Sequence, residues 1–491
     1  MMMKISRYAH CAIATLLMFL MASCLQRPSN ELEDNTLPRI WPDYTDVTIP
    51  VDIAPLNFVV DSADLLYVKV QGSISGSLET SGKYADFNID KWHDIIRQNR
   101  GADIIVTVST MRNGQWTRHL PFPIHVSQDS LADYGITYRK IAPGYETYSD
   151  IGIYQRDIHS FNEDPIITST LVPGQCMCCH TANRANPRQL TLHLRGKHPA
   201  TLIQIDGRRQ WLTTKTDSTI SNCMYPYWHP SGNFCAYSLS LVRQNFYTGH
   251  EKFIEVFDLA SDACVLDVRT NQLILAPPLQ SPDVETYPVF SADGNTIFFC
   301  TSKPHRLPAE AHLMRYDLCS VGFDAEQGRV GTHVDTLIKV SDKGHSITLP
   351  RPSYDGRFII YCLSDYGYFP IDHPESDLYI LDLKTMESRP LAQANSSDTE
   401  SFHNWNSNSR WIVFSSRRQD SMTSLAYFAH IDTLGNASKP FLLPQRNPRE
   451  FYTNSLHSFN TPDFTTDKVY IDPRATYDEV FSDERTQVTI K

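Results

Sequence analysis

Five consecutive residues, Cys176 to His180, combine side chains that can attach a cofactor. They read Cys-Met-Cys-Cys-His, and counted from Cys176 the spacing is C-x-x-C-H. Two thiols at this spacing can each form a thioether to a vinyl group of haem, and the adjacent His180 can then serve as the proximal ligand of the iron. The spacing therefore predicts one haem c, attached through Cys176 and Cys179 and ligated by His180.

Other interpretations of the same residues stay open. A C-x-x-C pair can be half of a zinc site, although the chain contains no second C-x-x-C. A redox dithiol normally opens a helix, whereas this motif follows the loop-like Val172-Pro173-Gly174-Gln175. The spacing can also arise by chance. In addition, Cys178 is a third thiol inside the motif, which could compete during haem attachment.

The sixth position of the iron would decide what such a haem does. A second His or a Met there makes an electron carrier, whereas an open position allows peroxide or small-gas chemistry. The candidates near the motif are His193, His198, His229 and Met224. Tyrosines that could form the walls of a haem pocket, or pack a core instead, are Tyr134, Tyr138, Tyr145, Tyr148 and Tyr154. The sequence does not choose among the four ligands.

Covalent haem attachment requires an exported chain, and the N-terminus predicts export. Residues 1–24 have a basic start, with Lys4 and Arg7, and then an apolar run too short to span a bilayer comfortably. They end in Met21-Ala22-Ser23-Cys24, which resembles a bacterial lipoprotein box; a chance cysteine is the alternative. We therefore expect acylation of Cys24, a polar tether over residues 25–46, and attachment to the periplasmic face of the outer membrane.

Composition narrows the function further. The formal net charge of −11 disfavours a nucleic-acid partner, and hydrophobic residues at 41% are enough for real cores. The length implies two or more domains. Six widely spaced cysteines lie mostly in strand-like runs, which indicates buried free thiols, with one disulfide such as Cys223–Cys235 as the alternative. They are Cys223, Cys235, Cys264, Cys300, Cys319 and Cys362.

Alternating apolar and polar runs over residues 47–130 predict a small β-sandwich of immunoglobulin-like type. One segment, Asn88 to Arg97, instead carries a helical pattern, with apolar residues on one side. Residues 131–184 are rich in Tyr and in Pro-Gly turns, and we expect them to form a linker that holds the haem motif. The haem would then lie where the N-terminal domain meets the next one.

From about residue 185 the chain repeats itself. The turn Tyr225–Gly232 aligns with Tyr287–Gly294 and with Leu349–Gly356, so that the glycines recur every 62 residues. A degenerate fourth copy runs from His403 to Ser409. Each copy is followed by a β-run. The copies are suited to a turn that joins two strands, because Asp caps such a turn and Gly accepts its positive φ. All-strand repeats of this length are typical of β-propeller blades.

The repeats resemble the WD40-like propeller repeat of the TolB type, and residues 225–418 match it four times. Together with Pro143-Gly144-Tyr145, Cys176 to His180 and His193 to His198, they resemble a group of Bacteroidetes lipoproteins usually labelled TolB-like or cytochrome c biosynthesis proteins. The resemblance covers nearly the whole chain after Cys24, with Cys178 standing where a polar residue is expected. It implies an architecture and a C-x-x-C-H site, but no firmly established activity.

We therefore predict an all-β protein in which residues 185–491 form a propeller of six blades, with five as the alternative. The run Lys468–Ile471 is expected to close the ring. No nucleophile elbow, zincin motif, P-loop or dinucleotide fingerprint occurs, so enzymatic activity is not indicated. Two functions remain: a lipid-anchored cytochrome that docks a redox or envelope protein partner, or a haem-independent scaffold that binds a protein or a cell-wall glycan.

Overall fold

The structure is a computed structural model that describes residues 25–142, 150–247, 254–455 and 457–491. Within these residues the chain divides into two compact units. The first contains the chain through Asp46 with residues 54–128 and 444–451, and the second contains residues 47–53, 129–443 and 452–491. No helix in the described part of the chain is long and apolar enough to cross a membrane.

The strands before residue 130 are short and belong mainly to the first unit. They are β1 (Leu32–Glu33), β2 (Ile40–Trp41), β3 (Thr48–Ile49), β4 (Val59–Val60), β5 (Leu65–Gly72), β6 (Ser77–Gly82), β7 (Asp103–Arg112), β8 (Gln115–Arg118) and β9 (Phe122–Val126). The main sheet has the order β1-β8-β7-β5-β6, with β9 also on β7, and β2 pairs with β4. Alternate residues of β5, such as Leu66 and Val68, are buried, as the period of a strand requires.

The predicted helical segment is confirmed as α1 (Ile89–Gln98). Asn88 caps its N-terminus, because the Asn88 side chain accepts a hydrogen bond from the backbone N–H of Lys91. The helix contacts β5 and β6 and buries Trp92, Ile95 and Ile96. Its apolar stripe therefore supplies part of the core of this β-rich unit. Two later helices are α2 (Pro448–Ser455) and α3 (Pro473–Ser482).

The second unit consists of six sheets in the described residues, each with four or five strands. Sheet I has the order β12 (Glu163–Thr168), β11 (Ile151–Asp157), β10 (Gly135–Ile141) and β33 (Ser458–Thr465); sheet II has β13 (Gln175–Asn183), β14 (Asn186–Gly196), β15 (Ala200–Ile205), β16 (Arg208–Thr213) and β34 (Thr486–Gln487); sheet III has β17 (Cys223–Trp228), β18 (Phe234–Phe246), β19 (Ile254–Asp267), β20 (Gln272–Ile274) and β35 (Thr489–Ile490).

The other three sheets each consist of four consecutive strands. Sheet IV has β21 (Val284–Phe290), β22 (Thr296–Ser302), β23 (Asp317–Asp324) and β24 (Arg329–Ile338); sheet V has β25 (Ser346–Pro352), β26 (Phe358–Ser364), β27 (Asp377–Asp382) and β28 (Glu387–Pro390); sheet VI has β29 (Glu400–Trp405), β30 (Trp411–Ser416), β31 (Leu425–His430) and β32 (Phe441–Leu442). Short 3₁₀ turns lie at Pro277–Leu279, Ala311–Leu313, Ser341–Lys343 and Pro370–Asp372.

The sheets follow one another around a closed cycle, as in a β-propeller. The strand at one edge of each sheet contacts its counterpart in the next sheet, in the order β13, β17, β21, β25, β29 and β33, and β33 returns to β13. We call these the inner strands. The glycine turns predicted from the repeat separate the first two strands of sheets III to V, and Gly232, Gly294 and Gly356 all have positive φ. The predicted all-β propeller is therefore confirmed.

Two predicted boundaries differ from the structure. Residues 131–184 do not form a linker, because β10, β11 and β12 belong to sheet I and β13 is the inner strand of sheet II. The ring is closed by β33, which pairs antiparallel with β10, and Lys468–Ile471 is not a strand. Lys468–Ile471 contains apolar residues for a different reason: Val469 and Ile471 pack into a hydrophobic core together with buried residues of sheets I and II.

In the described part of the chain, the six cysteines outside the motif are free thiols, and all are buried. The nearest approach among them is Cys223 Sγ to Cys264 Sγ, at 4.0 Å, which is not a disulfide. The predicted state, single thiols in strand cores, is confirmed over the described residues. The alternative disulfide between Cys223 and Cys235 is not present.

Candidate functional site

The C-x-x-C-H motif lies inside the propeller unit, on the inner strand of sheet II. Every inner strand carries an irregularity in its pairing at the same place, and one non-glycine residue there has positive φ. These residues are Cys179, Tyr225, Tyr287, Leu349, Phe402 and Thr461. The motif is therefore the sheet II copy of the propeller repeat, with Cys179 in the place of the repeat tyrosine and His180 in the place of the repeat proline.

Two arginines from different strands converge on the first thiol of the motif. Arg139 of β10 and Arg195 of β14 each approach Cys176 Sγ with a guanidinium nitrogen, at 3.4 Å and 3.8 Å. Within the described residues neither arginine forms an ion pair with a carboxylate, and the Nε of each is buried without a hydrogen-bond partner. Both side chains are partly buried, and positive charge there is less well solvated than in open water.

The thiols of the motif differ in their surroundings. Cys176 and Cys178 are buried, whereas Cys179 is partly exposed. A hydrogen bond from Cys178, helped by the positive charges of Arg195 and Arg139, lowers the pKa of Cys179 to about 7. The same hydrogen bond, together with burial, raises the pKa of Cys178. Cys179 is therefore the thiol of this pair that ionises first.

His180 is held in its neutral form. Its ring is buried, and burial together with the charge of Arg139 lowers the pKa of His180 to about 4. Nε2 lies 3.0 Å from the hydroxyl of Thr137, while Nδ1 is buried and has no hydrogen-bond partner. A neutral imidazole with an unused nitrogen is the form in which histidine binds a metal ion.

The four candidate sixth ligands do not converge on His180 in the described geometry. His193 pairs in register with Cys178, but its Nδ1 lies 3.0 Å from the hydroxyl of Thr201. Burial lowers the pKa of His193 to about 3, so this ring is also neutral. Met224 is buried on β17, at the repeat position that Cys178 occupies on β13. Neither residue has a contact that marks it as an iron ligand.

The other two histidines have partners away from the motif. His198 lies after β14, and its Nδ1 is 2.6 Å from the carboxylate of Asp483. His229 belongs to the turn after β17, where Nδ1 lies 2.8 Å from the Ser231 hydroxyl and Nε2 lies 3.2 Å from the Gly294 carbonyl oxygen. His229 thus joins two neighbouring repeat turns, which is a structural role.

A covalently attached haem and a bare metal ion make different demands on these residues. No three His, Cys, Asp or Glu side chains in the described ranges are arranged to hold a metal ion, which does not favour the zinc alternative. A haem c needs only two thiols and one neutral imidazole from the protein. His180 is buried, so a haem would have to be enclosed as the sheets pack.

The tyrosines near the motif have mixed positions. Tyr138 is fully buried, and its hydroxyl contacts Glu163. Tyr154 lies on β11, where the ammonium of Lys140 stands 4.6 Å from its ring centroid. Tyr145 and Tyr148 lie outside the described residues, as do Pro143-Gly144-Tyr145 and the predicted anchor Cys24. The described aromatics therefore serve the core of sheet I.

A second set of inner-strand residues was not singled out by sequence reasoning. They lie two positions after the positive-φ residue of each inner strand, and they are Thr181, Tyr227, Val289, Arg351, Asn404 and Asp463. Asp463 accepts hydrogen bonds from the Thr181 hydroxyl, at 2.9 Å, and from the backbone N–H of Ala182, at 3.2 Å. This carboxylate joins the closing strand β33 to β13. Its signal in the sequence was weak, because Thr461 stands two residues before it in place of the repeat tyrosine.

Arg351 connects the opposite side of the ring. Its Nε donates to the side-chain oxygen of Asn404 at 3.0 Å, and its guanidinium stands 5.6 Å from the ring centroid of Tyr227. Tyr227 and Arg351 belong to sheets III and V, so the contact spans the sheet between them. Contacts of polar side chains thus connect the inner strands of different sheets.

Comparison with known proteins gives only distant structural neighbours. No protein-family model and no curated protein matches the sequence. Among solved structures, a TolB from Agrobacterium tumefaciens matches with 12% identity over 67% of this chain and 98% of its own, with a TM-score of 0.38. A puromycin-hydrolyzing peptidase of Mycobacterium tuberculosis matches with 12% identity over 84% of this chain and 57% of its own, with a TM-score of 0.37.

A third neighbour is prolyl oligopeptidase B from Galerina marginata, with 11% identity over 62% of this chain and 44% of its own, and a TM-score of 0.36. The chain thus spans about half the length of the two peptidases. The assignment of the propeller rests on the strand pairing and inner-strand contacts described above, which are independent of these neighbours.

Proposed function

We propose that this protein is an exported, lipid-anchored propeller protein that carries one c-type haem and passes electrons to a docked partner. Cys176 and Cys179 would form the thioethers, and His180 would be the proximal ligand. The observation that carries the proposal is the C-x-x-C-H motif together with a buried, neutral His180 whose Nδ1 has no hydrogen-bond partner in the described residues.

The state of the side chains supports the same assignment. His180 is neutral and has an unpartnered Nδ1, so the imidazole can coordinate without losing a proton. Cys179 is partly exposed, while Cys176 and Cys178 are both buried, so exposure alone does not separate the two outer thiols from Cys178. The C-x-x-C spacing uses the outer two thiols and leaves Cys178 out. When bound, the haem supplies the one-electron chemistry, and the propeller holds it and presents a docking surface.

The location belongs to the same proposal. Acylation of Cys24 would tether the propeller by residues 25–46 to the inner face of the outer membrane. The partner would be a redox or envelope protein, and the net charge of −11 makes nucleic acid an unsuitable one.

The test is a pyridine haemochrome assay on protein made in a host with c-type cytochrome maturation. The wild type should carry one covalent haem, Cys179→Ser should keep a single thioether, and His180→Ala should lose the normal reduced spectrum. Cys178→Asn is the matched variant within the motif, and it should keep or raise the haem content. Cys300→Ser, which changes a buried thiol of sheet IV, controls for loss of a thiol as such.

Absence of covalent haem in the wild type, with all variants folded, would remove the electron-transfer proposal. The binding-scaffold alternative would then take its place, with the propeller binding a protein or a cell-wall glycan. Equal haem loading in the wild type and in the double variant Cys176→Ser/Cys179→Ser would also contradict the assignment, because attachment would not depend on these thiols.

A further inference from the structure

A cavity of about 350 Å³ opens in the second unit. The segment of residues 130–134 forms one wall, and Val51, Asp52, His159 and Thr466 complete the lining. This volume is within the range of small-molecule sites. None of the predicted haem ligands or attachment thiols lines this cavity; Tyr134, one of the tyrosines considered for a haem pocket, does.

One group in the wall is a buried carboxylate with one oxygen that lacks a hydrogen-bond partner. Asp133 is 2% exposed, and its Oδ2 accepts a hydrogen bond from the backbone N–H of Ser407 at 3.1 Å. The other oxygen, Oδ1, is buried and has no hydrogen-bond partner. A buried acceptor left unsatisfied costs free energy that a ligand donor can recover. Burial also raises the pKa of Asp133 to about 6, so the group is mostly ionised at neutral pH.

The wall around Asp133 is fixed from several sides. The side-chain amides of Asn406 and Asn408 donate to the carbonyl oxygens of Leu131 and Ser130, both at 2.6 Å. The backbone N–H of Tyr134 donates to the carbonyl oxygen of Thr465 at 2.9 Å. The carboxylate is therefore presented by a segment that the fourth repeat turn and the end of β33 hold in place, which lowers the entropic cost of binding.

Two other polar side chains of the cavity have hydrogen-bond partners within the protein. The two ring nitrogens of His159 lie 2.8 Å from the carbonyl oxygen of Asp52 and 3.1 Å from that of Asp133. The hydroxyl of Thr466 donates to the carbonyl oxygen of Ala185 at 3.2 Å. Asp133 Oδ1, in contrast, is buried with its bonding capacity unused.

We infer that this cavity binds a small organic cation, an amine or a guanidinium, through Asp133 Oδ1. A positively charged N–H donor supplies both the missing hydrogen bond and the counter-charge, whereas a neutral hydroxyl supplies only the first. The acidic net charge of the protein favours the approach of a cation as well. The site is independent of the haem proposal, and either can stand without the other.

The test is isothermal titration of the full chain with 1,4-diaminobutane and with agmatine at pH 7.5. 1,4-Butanediol and glutarate serve as the neutral and anionic probes of similar length. The diamine or agmatine should bind at least tenfold more tightly than the diol, and glutarate should not bind. Asp133→Asn should weaken binding of the cations at least tenfold.

The matched control is Asp335→Asn, which neutralises an exposed carboxylate of β24 and should leave binding unchanged. The free Asp133→Asn protein should melt at the same temperature as the wild type or higher, which separates loss of the ligand from loss of the fold. Equal affinity for the diol and the diamine would overturn the inference, as would binding that Asp133→Asn does not alter. Absence of binding by both cations at millimolar concentration would overturn it too.

Discussion

Substitution of Asp258 by asparagine should change how the stability of the second unit depends on pH. Asp258 lies on β19 and is 2% exposed. The hydroxyl of Tyr316 donates to its Oδ2 at 3.0 Å, and Oδ1 is buried without a partner. Burial is the main cause that raises the pKa of Asp258 to about 7, and this single hydrogen bond offsets only part of the effect.

The sign follows from proton binding. The carboxyl has its ordinary pKa of about 4 in the unfolded chain, so between about pH 4 and pH 7 the folded state holds more protons. The free energy of unfolding contributed by Asp258 therefore falls as pH rises through this interval. Raising the pKa from about 4 to about 7 corresponds to about 4 kcal/mol in total. Between pH 4.5 and pH 8.5 the change amounts to about 3 kcal/mol.

The assay is urea unfolding of the wild type and Asp258→Asn, followed by tryptophan fluorescence at several pH values. Asparagine keeps the shape and an oxygen that can accept from Tyr316, but it does not titrate. The stability of the variant relative to the wild type should rise by about 3 kcal/mol from pH 4.5 to pH 8.5. Asp342→Asn, at an exposed carboxylate paired with Lys339, should give a constant difference. A constant difference for Asp258→Asn would refute the reasoning.

Three other predictions concern the turns, the closing strand and the anchor. Gly294→Ala should destabilise the protein by about 2–4 kcal/mol in chemical unfolding, because φ is +79° and the new Cβ would lie 2.1 Å from Nε2 of His229. Gly207→Ala has a similar φ but open space, so it should cost only about 1 kcal/mol. Truncation before residue 458 should remove the melting transition of the whole second unit; a small separate step would contradict ring closure. Cys24→Ala should abolish labelling by a fatty-acid analogue, and unchanged labelling would exclude this anchor.

The sequence predicted the propeller in those sheets whose turns require a particular residue, such as glycine, at a fixed position. Gly232, Gly294 and Gly356 mark their turns because positive φ favours glycine, and the following β-runs form strands as expected. Sheets I and II have no such glycine turn after the inner strand. Residues 183–186 close a tight hairpin instead, with Arg184 and Ala185 at positive φ. The repeat was therefore invisible there, and residues 131–184 resembled a linker.

Ring closure and the surroundings of the motif depend on contacts between distant residues. The closing strand β33 contains Pro462 and Asp463, which lower its strand signal, whereas Val469 and Ile471 resemble a strand but pack as loop residues. The convergence of Arg139 and Arg195 on Cys176 arises only when sheets I and II meet. Spacing in the sequence identified the thiols and His180, but it contained no information about these guanidiniums.

Cys178 and Cys179 differ in exposure and in pKa, and this difference can be tested in haem-free protein. Cys179 combines partial exposure with a pKa lowered to about 7, so at pH 8 roughly nine-tenths of it is thiolate, compared with about a quarter of an ordinary cysteine. Limiting iodoacetamide followed by peptide mass spectrometry should therefore find Cys179 modified first among the described thiols. Cys178 and the buried Cys319 should react only after unfolding.

The charge of the neighbouring arginines should set the rate of this reaction. Arg195→Met keeps much of the side-chain volume but removes the positive charge, so the pKa of Cys179 should rise and alkylation at pH 7 should slow. Arg188→Met, at an exposed arginine paired with Asp206, should leave the rate unchanged. Faster labelling of Cys178 than of Cys179 would contradict the assignment of the ionised thiol. In protein with a covalent haem, Cys179 should be blocked while Cys178 remains a free thiol, because the C-x-x-C spacing excludes it from attachment.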